Sequence, residues 1–347
     1  MTTSTRPTAL PAEVEAWLAR GLPEAVPPFR VERITGGYSM LTSRVIDSAG
    51  QVWVLRQPPR GQAGGGAHDP DRESRTMSAL WETDVPVPRV RMTGTAEDPL
   101  GVPCHVTDFV DGFVVTGAAQ AEQVFDAATL RVATTNLTTA LAALHAVDPE
   151  TVGLADLGPK ENYNGRQIRR WGSILAAIAE TASPEVTQHL AALRALGDVL
   201  ARRLPTDTAG RLVHGDYRLG NTITAPDGTI RAILDWELVT RGEPLADLGS
   251  LLVFWDAPAE AMLGTPPPTT APGSLRPDEV VETYVAATGA SVDDLPLYRS
   301  LASWRLACLC LRTAVRFRAG AMGDDTDSGA FLRTTDLWAE RAAEELS

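Results

Sequence analysis

The sequence predicts an α+β fold in two parts, a small antiparallel sheet lobe followed by a larger, mainly helical lobe. Three observations carry this expectation. Short alternating apolar segments, joined by turn-forming residues, crowd the N-terminal third of the chain. Helical periodicity dominates from Ala127 onward. Extended segments return in strength once more, in Leu212–Glu237, a stretch dense in Asp, Asn and Gly.

Along the chain, residues 11–22 place Val14, Trp17, Leu18 and Leu22 on one side of a helix. Phe29–Ile34 reads as a strand, and Gly36-Gly37-Tyr38-Ser39-Met40 as a turn. Leu41–Ile46 and Val52–Arg56 alternate as strands, with Asp47-Ser48-Ala49-Gly50-Gln51 supplying hairpin chemistry between them. Pro58–Pro70, rich in Gly and Pro, reads as a loop. Asp71–Trp81 is a predicted helix with Glu73 near its start. Val85–Val90 is extended, Cys104–Val110 is a strand, and Asp111-Gly112 turns the chain. The expected lobes are therefore 1–110 and 111–347. In the second, Ala127–His145 carries a buried stripe of Leu130, Leu137, Leu141 and Leu144. Helices are also expected over 164–180, 185–204, 243–254, 277–288, 296–319 and 328–345.

Composition narrows the function. The 347 residues carry 31 basic and 44 acidic side chains, a formal charge of −13, which argues against a nucleic-acid binder. A local arginine cluster can still meet a small anion. Three cysteines without framework spacing fit structural thiols in a reducing compartment. Met1–Leu10 lacks the apolar core of a signal peptide, and Leu301–Leu311 is interrupted by Arg305 and too short for a membrane span. A cytoplasmic protein is expected, with no nucleic-acid or membrane partner.

The chemistry concentrates in Leu212-Val-His-Gly-Asp-Tyr-Arg-Leu-Gly-Asn221 and Ile233-Leu-Asp-Trp-Glu237. Asp216 offers a carboxylate that can take a hydroxyl proton. Asn221 and Asp235, the latter expected at a strand end, offer hard oxygens for magnesium. Together these are the parts of a phosphoryl-transfer site. Glu237 would point to the same side as Asp235 on a continuing strand; it could help hold a metal, and reads first as a solvated surface residue. His214 and His145 read as structural hydrogen bonders, and Asp247 as a helix cap and scaffold for the loop. No Ser/His/Asp elbow and no zinc spacing is seen.

His214-Gly215-Asp216 with Asn221, then Ile233-Leu234-Asp235, resembles the catalytic and metal-binding segments of the aminoglycoside phosphotransferase/choline kinase superfamily. Val54-Leu55-Arg56 with Pro58-Pro59, Arg72-Glu73, Val85-Pro-Val-Pro88, Leu144-His145 and Arg166-Gln167-x-x-Arg170-Trp171 narrow the resemblance. They are similar to the kinase-like domains associated with acyl-CoA dehydrogenases and their free-standing bacterial relatives. The resemblance covers roughly residues 30 to 320 and implies a bilobal protein-kinase-like fold. It implies an ATP- and magnesium-dependent small-molecule kinase, with Asp216 as base and Asn221 and Asp235 as metal ligands. Arg56 stands where many relatives carry lysine and would grip the nucleotide phosphates with Glu73 as its partner, a task that a guanidinium can perform bidentately. Gly37 and Ser39 fall at the phosphate-covering loop, and Phe109 and Val110 at the nucleotide-contacting hinge.

The acceptor remains open at this level. The resemblance suggests a hydroxyacyl-CoA or another hydroxylated acid, and a partner in an acyl-CoA dehydrogenase pathway. Arg166, Arg169 and Arg170 could form an anion clamp beside Trp171, or simply a solvated helix face. Arg305 and Arg312 lie in apolar runs and so need partners if buried. An antibiotic phosphotransferase, whose cationic acceptor would want carboxylates such as Asp324, Asp325 and Asp327, is an alternative. A non-catalytic nucleotide-binding module is another.

Overall fold

Alternation along the first strands builds a two-faced sheet. The computed structural model describes residues 8–34, 40–59, 69–206, 209–258, 261, 264–319 and 328–347. Strand β1 (Thr8–Ala9) leads into helix α1 (Ala12–Gly21), then strands β2 (Arg30–Ile34), β3 (Leu41–Ile46) and β4 (Val52–Gln57). Helix α2 (Pro70–Leu80) and strands β5 (Val90–Gly94) and β6 (Cys104–Asp108) come after them. The spatial order is β1-β2-β3-β4-β6-β5, with antiparallel neighbours throughout. Trp53, Leu55, Cys104 and Val106 occupy one core with Val14, Trp17 and Leu18 of α1. With a period of two, Arg56 and His105 must stand on the opposite face, and they are directly paired in register.

The described residues form two compact units. The first runs as far as Gly112 and also takes in Arg231–Val239; the second comprises Phe113–Ile230 and the chain from Thr240 onward. The sequence reading places everything after residue 110 in one domain. Instead, Arg231–Val239 belongs with the sheet lobe, and its hydrogen bonds show why. The Ile233 N–H donates to the Pro86 carbonyl at 2.8 Å, and Arg72 Nη1 donates to the Val239 carbonyl at 2.8 Å.

Helices dominate the second unit. They are α3 (Ala118–Val124), α4 (Ala127–Ala146), α5 (Tyr163–Ala179) and α6 (Pro184–Arg203). Short strands β7 (Arg211–Val213) and β8 (Thr222–Thr224) come next, and β9 (Ile230–Ile233) leads the chain out of this unit. Strand β10 (Thr240–Gly242) brings it back and pairs antiparallel with β7. Helices α7 (Pro244–Trp255), α8 (Pro277–Thr288), α9 (Leu295–Arg318) and α10 (Ser328–Glu344) complete it. Helix α3 and strand β5 are elements the sequence reading does not anticipate.

Helix α7 is buried along most of its length, from Leu245 to Val253 and again at Trp255. It packs on α9, and Gly249 marks the close approach: a Cβ there would lie 2.8 Å from the Tyr298 carbonyl carbon and 3.0 Å from the Arg299 nitrogen. On α9, Arg299 bonds Glu345 at 2.7 Å, Arg305 faces the buried Tyr163, and Arg312 is exposed and needs no buried partner. No helix among the described residues is long and apolar enough to cross a membrane.

Two glycines should therefore respond oppositely to a side chain. Gly249→Val overpacks the α7–α9 contact and should destabilise by about 1–3 kcal/mol. Gly172→Ala, in α5 with open space around its Cα, should stabilise by about 0.5–1 kcal/mol. Urea midpoints at unchanged m-value give both signs directly.

Candidate active site

The loop after β7 is held from beneath by one carboxylate. β7 is only three residues long, so strand pairing alone does little to fix the loop at its end. Asp247, in the first turn of α7 and 1% exposed, supplies the missing anchor. Its Oδ2 accepts the His214 N–H at 2.5 Å, and its Oδ1 accepts the Gly215 N–H at 2.9 Å. Oδ2 also lies 3.4 Å from His145 Nε2, whose Nδ1 is 2.7 Å from the Tyr284 hydroxyl. Burial pushes the Asp247 carboxyl up. The bond and charge of His145, the charge of His214 and the Gly215 N–H outweigh it and hold the group below its ordinary value. Gly215 takes φ +87°, a left-handed turn that glycine adopts without steric cost. The Tyr217 hydroxyl donates to the Leu137 carbonyl of α4 at 2.7 Å, a second anchor.

With the loop fixed, Asp216 stands on its open side. Its side chain is 30% exposed. Asn221 closes the 3-10 turn Leu219–Asn221 and is itself buried. Its Nδ2 donates both to the Asp216 carbonyl at 2.8 Å and to Asp216 Oδ2 at 2.7 Å. Both amide protons are thus used on acceptors, which leaves Oδ1 as the atom that can meet a cation. Arg218 Nε lies 3.4 Å from the Asp216 carboxylate. Arg218 has no role assigned from sequence, since an arginine two residues from Asp216 has no spacing signature of its own.

A second group forms in the first unit. Arg56 Nη1 lies 3.3 Å from Glu73 Oε2 and Nη2 3.2 Å from Asp235 Oδ1. Glu73 is 1% exposed, carried by α2, whose N-terminus is capped by Asp69 and opened by Pro70. Glu73, Asp235 and Glu237 place carboxylate oxygens within 4.8 Å of one another. Among the described residues of this group, three carboxylates stand against the Arg56 guanidinium, an excess of negative charge among hard oxygen donors that fits a divalent cation such as magnesium. Of the two readings of Glu237, this grouping favours the one beside a metal over the solvated surface one. β9 ends at Ile233, and the chain turns through Asp235 at φ +65° into the 3-10 turn Trp236–Leu238, which returns Glu237 toward Glu73. The expected strand end at Asp235 is corrected to this left-handed turn, a conformation that costs a non-glycine residue of order 1–3 kcal/mol. His105, which the sequence leaves unassigned, lies 3.7 Å from Glu73 Oε2. Burial, and then the Arg56 charge, push its pKa down to about 3, so at neutral pH it adds no charge to the group.

The remaining expected site residues lie elsewhere. Gly37 and Ser39 fall outside the described residues. Phe109 and Val110 come just after β6, half-buried, with the Arg44 guanidinium 5.1 Å from the Phe109 ring. Arg166, Arg170 and Trp171 serve three different environments. Arg166 donates to the carbonyls of Arg241, at 2.8 Å, and Glu161, Arg170 is exposed, and Trp171 is buried in the core. Arg166 is thus an anchor and Trp171 a core residue, while Arg169 and Arg170 lie on an exposed face of the helix. Cys104 and Cys308 are buried and Cys310 half-buried; burial raises each thiol, Cys104 and Cys310 to about 12, which suits inert structural groups.

Residues 30–302 match the model of the phosphotransferase enzyme family. The chain belongs to this family. It carries that family's domain on the bilobal kinase-like fold. Over 343 residues it is 28% identical to acyl-CoA dehydrogenase family member 11 of Gallus gallus, covering 95% of this chain and 43% of the relative. It is 33% identical over 219 residues to the Rattus norvegicus protein of the same name, covering 60% of this chain and 26% of that one. The chain thus spans less than half the length of these curated relatives. Among solved structures, a Ralstonia eutropha protein provisionally named an aminoglycoside phosphotransferase superposes with TM-score 0.80 at 27% identity, covering 96% and 97% of the two chains. A spectinomycin phosphotransferase in complex with ADP and spectinomycin shares the fold, with TM-score 0.61 at 12% identity over 95% and 98% of the chains.

In this phosphotransferase, Asp247 should act as an anchor rather than a reactant. Asp247→Ala leaves two buried N–H groups without acceptors and should cost about 2–5 kcal/mol. Asp247→Asn should be milder. Because the folded carboxyl lies below its unfolded value, its contribution is fully present above about pH 4 and is lost as pH falls through the folded value. The stability gap between wild type and Asp247→Asn should therefore hold steady from pH 6 to about pH 4 and shrink as pH falls further, as read from urea unfolding at each pH.

Proposed function

We propose that this phosphotransferase moves the γ-phosphoryl group of magnesium-bound ATP to a hydroxyl of a hydroxyacyl-CoA or a related hydroxylated acid. One observation carries the catalytic assignment: an open carboxylate, Asp216, is fixed by Asn221 on a loop that Asp247 anchors. The relatives named for acyl-CoA dehydrogenases support the acceptor class and a working partnership with such a dehydrogenase. Solved neighbours in complex with ADP or with streptomycin and ATP support the nucleotide.

The acceptor oxygen attacks the γ-phosphorus, the bond from that phosphorus to the β-phosphate bridging oxygen breaks, and ADP leaves. Asp216 accepts the proton of the acceptor hydroxyl. A loose transition state asks this carboxylate mainly to orient the alcohol, taking the proton late. Asn221 keeps Asp216 Oδ2 aimed by donating to it and offers Oδ1 as a magnesium ligand. Asp235 is the other proposed ligand, with Glu73 and Glu237 adding negative charge around it. When bound, magnesium would neutralise charge on the phosphate oxygens. Arg56 binds the nucleotide phosphates through its guanidinium, with Glu73 holding it in place.

Asp216→Asn should lower kcat by about 10²–10⁴ while nucleotide affinity, measured by calorimetry, stays within about threefold. Unchanged turnover in that variant sinks the base assignment and favours a different proton acceptor. Asp235→Asn should raise the magnesium concentration for half-maximal rate by about tenfold or more. A titration of rate against magnesium at saturating ATP reads this.

A further inference from the structure

Beside Asp216 the second unit opens a narrow cleft. Its lining includes Arg218, Gly220, Leu251, Phe254, Trp255 and Pro268. Among the described residues of that lining, Arg218 is the sole charged side chain, and no carboxylate faces the space. The walls come from the apolar C-terminal half of α7 and from the proline-rich turn after it. Such a lining opposes a polycationic acceptor, which would meet a cation and bury ammonium groups against hydrocarbon. It favours an aliphatic chain.

Arg218 joins this cleft to the chemistry. Its Nε lies 3.4 Å from Asp216, and its guanidinium carbon lies 6.0 Å from the centre of the Phe254 ring. Gly220 makes the space for it: a Cβ at that position would fall 2.7 Å from Arg218 Nη1. With Nε turned to Asp216, the two Nη groups are the guanidinium donors left for a ligand in the cleft that Arg218 lines. An acceptor whose hydroxyl meets Asp216 would therefore find a donor for a carbonyl or carboxylate oxygen on one side and an apolar slot on the other.

Resting on the proposed phosphoryl transfer to a hydroxylated acid, we propose that this cleft is the hydrocarbon subsite of the acceptor and that Arg218 determines its specificity. The acceptor carries its hydroxyl on an interior carbon. Its alkyl tail enters the cleft against Leu251 and Phe254, and its carbonyl arm, whether free acid or thioester, bonds the Arg218 guanidinium. The hydroxyl thus lies between a tail that is desolvated and an arm that remains polar.

The test is a series of hydroxy acids lengthened one methylene at a time beyond the hydroxyl, each supplied as free acid and as CoA thioester, with kanamycin as the cationic comparison. Binding is measured by calorimetry and phosphorylation by steady-state kinetics with magnesium and ATP. In the wild type, Kd and KM should fall about fourfold for each methylene that enters the cleft. Phe254→Ala should flatten that slope. Gly220→Ala, which displaces the guanidinium, should raise KM about tenfold or more across the series and leave the slope intact. The weaker of the two carrier forms identifies which one the site is built for, by exclusion. A flat wild-type slope, a Gly220→Ala variant with unchanged KM, or a lower KM for kanamycin than for every hydroxy acid overturns the assignment. Calorimetric binding with the expected slope but no phosphorylation of any acceptor upholds the cleft and overturns the proposed reaction instead.

Discussion

The second unit is organised around a buried charge that the surrounding chain is obliged to satisfy. Asp247 sits in a helix whose other buried residues are almost all apolar or small. An ionised carboxylate in that setting carries a desolvation penalty of several kcal/mol. It is offset by the His214 and Gly215 N–H groups and by His145. The dependence is mutual. Without the loop, the carboxylate would be buried and unpaired; without the carboxylate, two N–H groups would be buried without acceptors. Either failure costs more than the three-residue pairing of β7 with β10 could return. That is why a short segment with so few strand contacts can present Asp216 in one orientation.

The first unit solves a comparable problem by alternation. Strands β4 and β6 bury Trp53, Leu55, Cys104 and Val106 on one face, and the pleat then forces Arg56 and His105 together on the other. Two cations side by side would repel. His105 instead titrates far below neutrality, so Arg56 is the cation placed against Glu73 and Asp235. The local field stays negative although an arginine lies at its centre. That residual charge is what makes the group suitable for a divalent cation and for the phosphates such a cation accompanies.

How far these features could be read in advance depends on whether they are local in sequence. The hairpin around Asp47–Gln51 was legible because its turn residues act on their own backbone: the Asp47 side chain accepts the Gln51 N–H. The long helices were legible from apolar spacing, and Asp216, Asn221 and Asp235 from their mutual spacing. Features set by distant chain were not. Val90–Gly94 becomes a strand because β6 supplies its partners, and Arg231–Val239 joins the sheet lobe through Pro86 and Arg72. Glu237 joins the carboxylate group only because Asp235 adopts a left-handed turn, which its residue type does not announce. The same holds for arginines. Arg166 and Arg218 look alike in sequence, yet one is spent on backbone carbonyls and the other stands at an apolar cleft.

This difference separates what the fold fixes from what it leaves adjustable. The residues that hold Asp216, namely Asp247, Asn221 and Tyr217, contribute nothing to the cleft lining. Leu251, Phe254 and Trp255 line the cleft from the far turns of the same helix that carries Asp247. One helix therefore carries both the anchor beneath Asp216 and the wall of the proposed acceptor cleft, and the side chains on its last turns can change without disturbing the anchor in its first. Arg218 is the exception, touching both Asp216 and the cleft. On the proposed reading, a substitution there alters acceptor recognition and the orientation of Asp216 together. Substitutions at Phe254 change recognition alone on that reading, so acceptor preference can diverge on this scaffold while the loop that holds Asp216 stays in place.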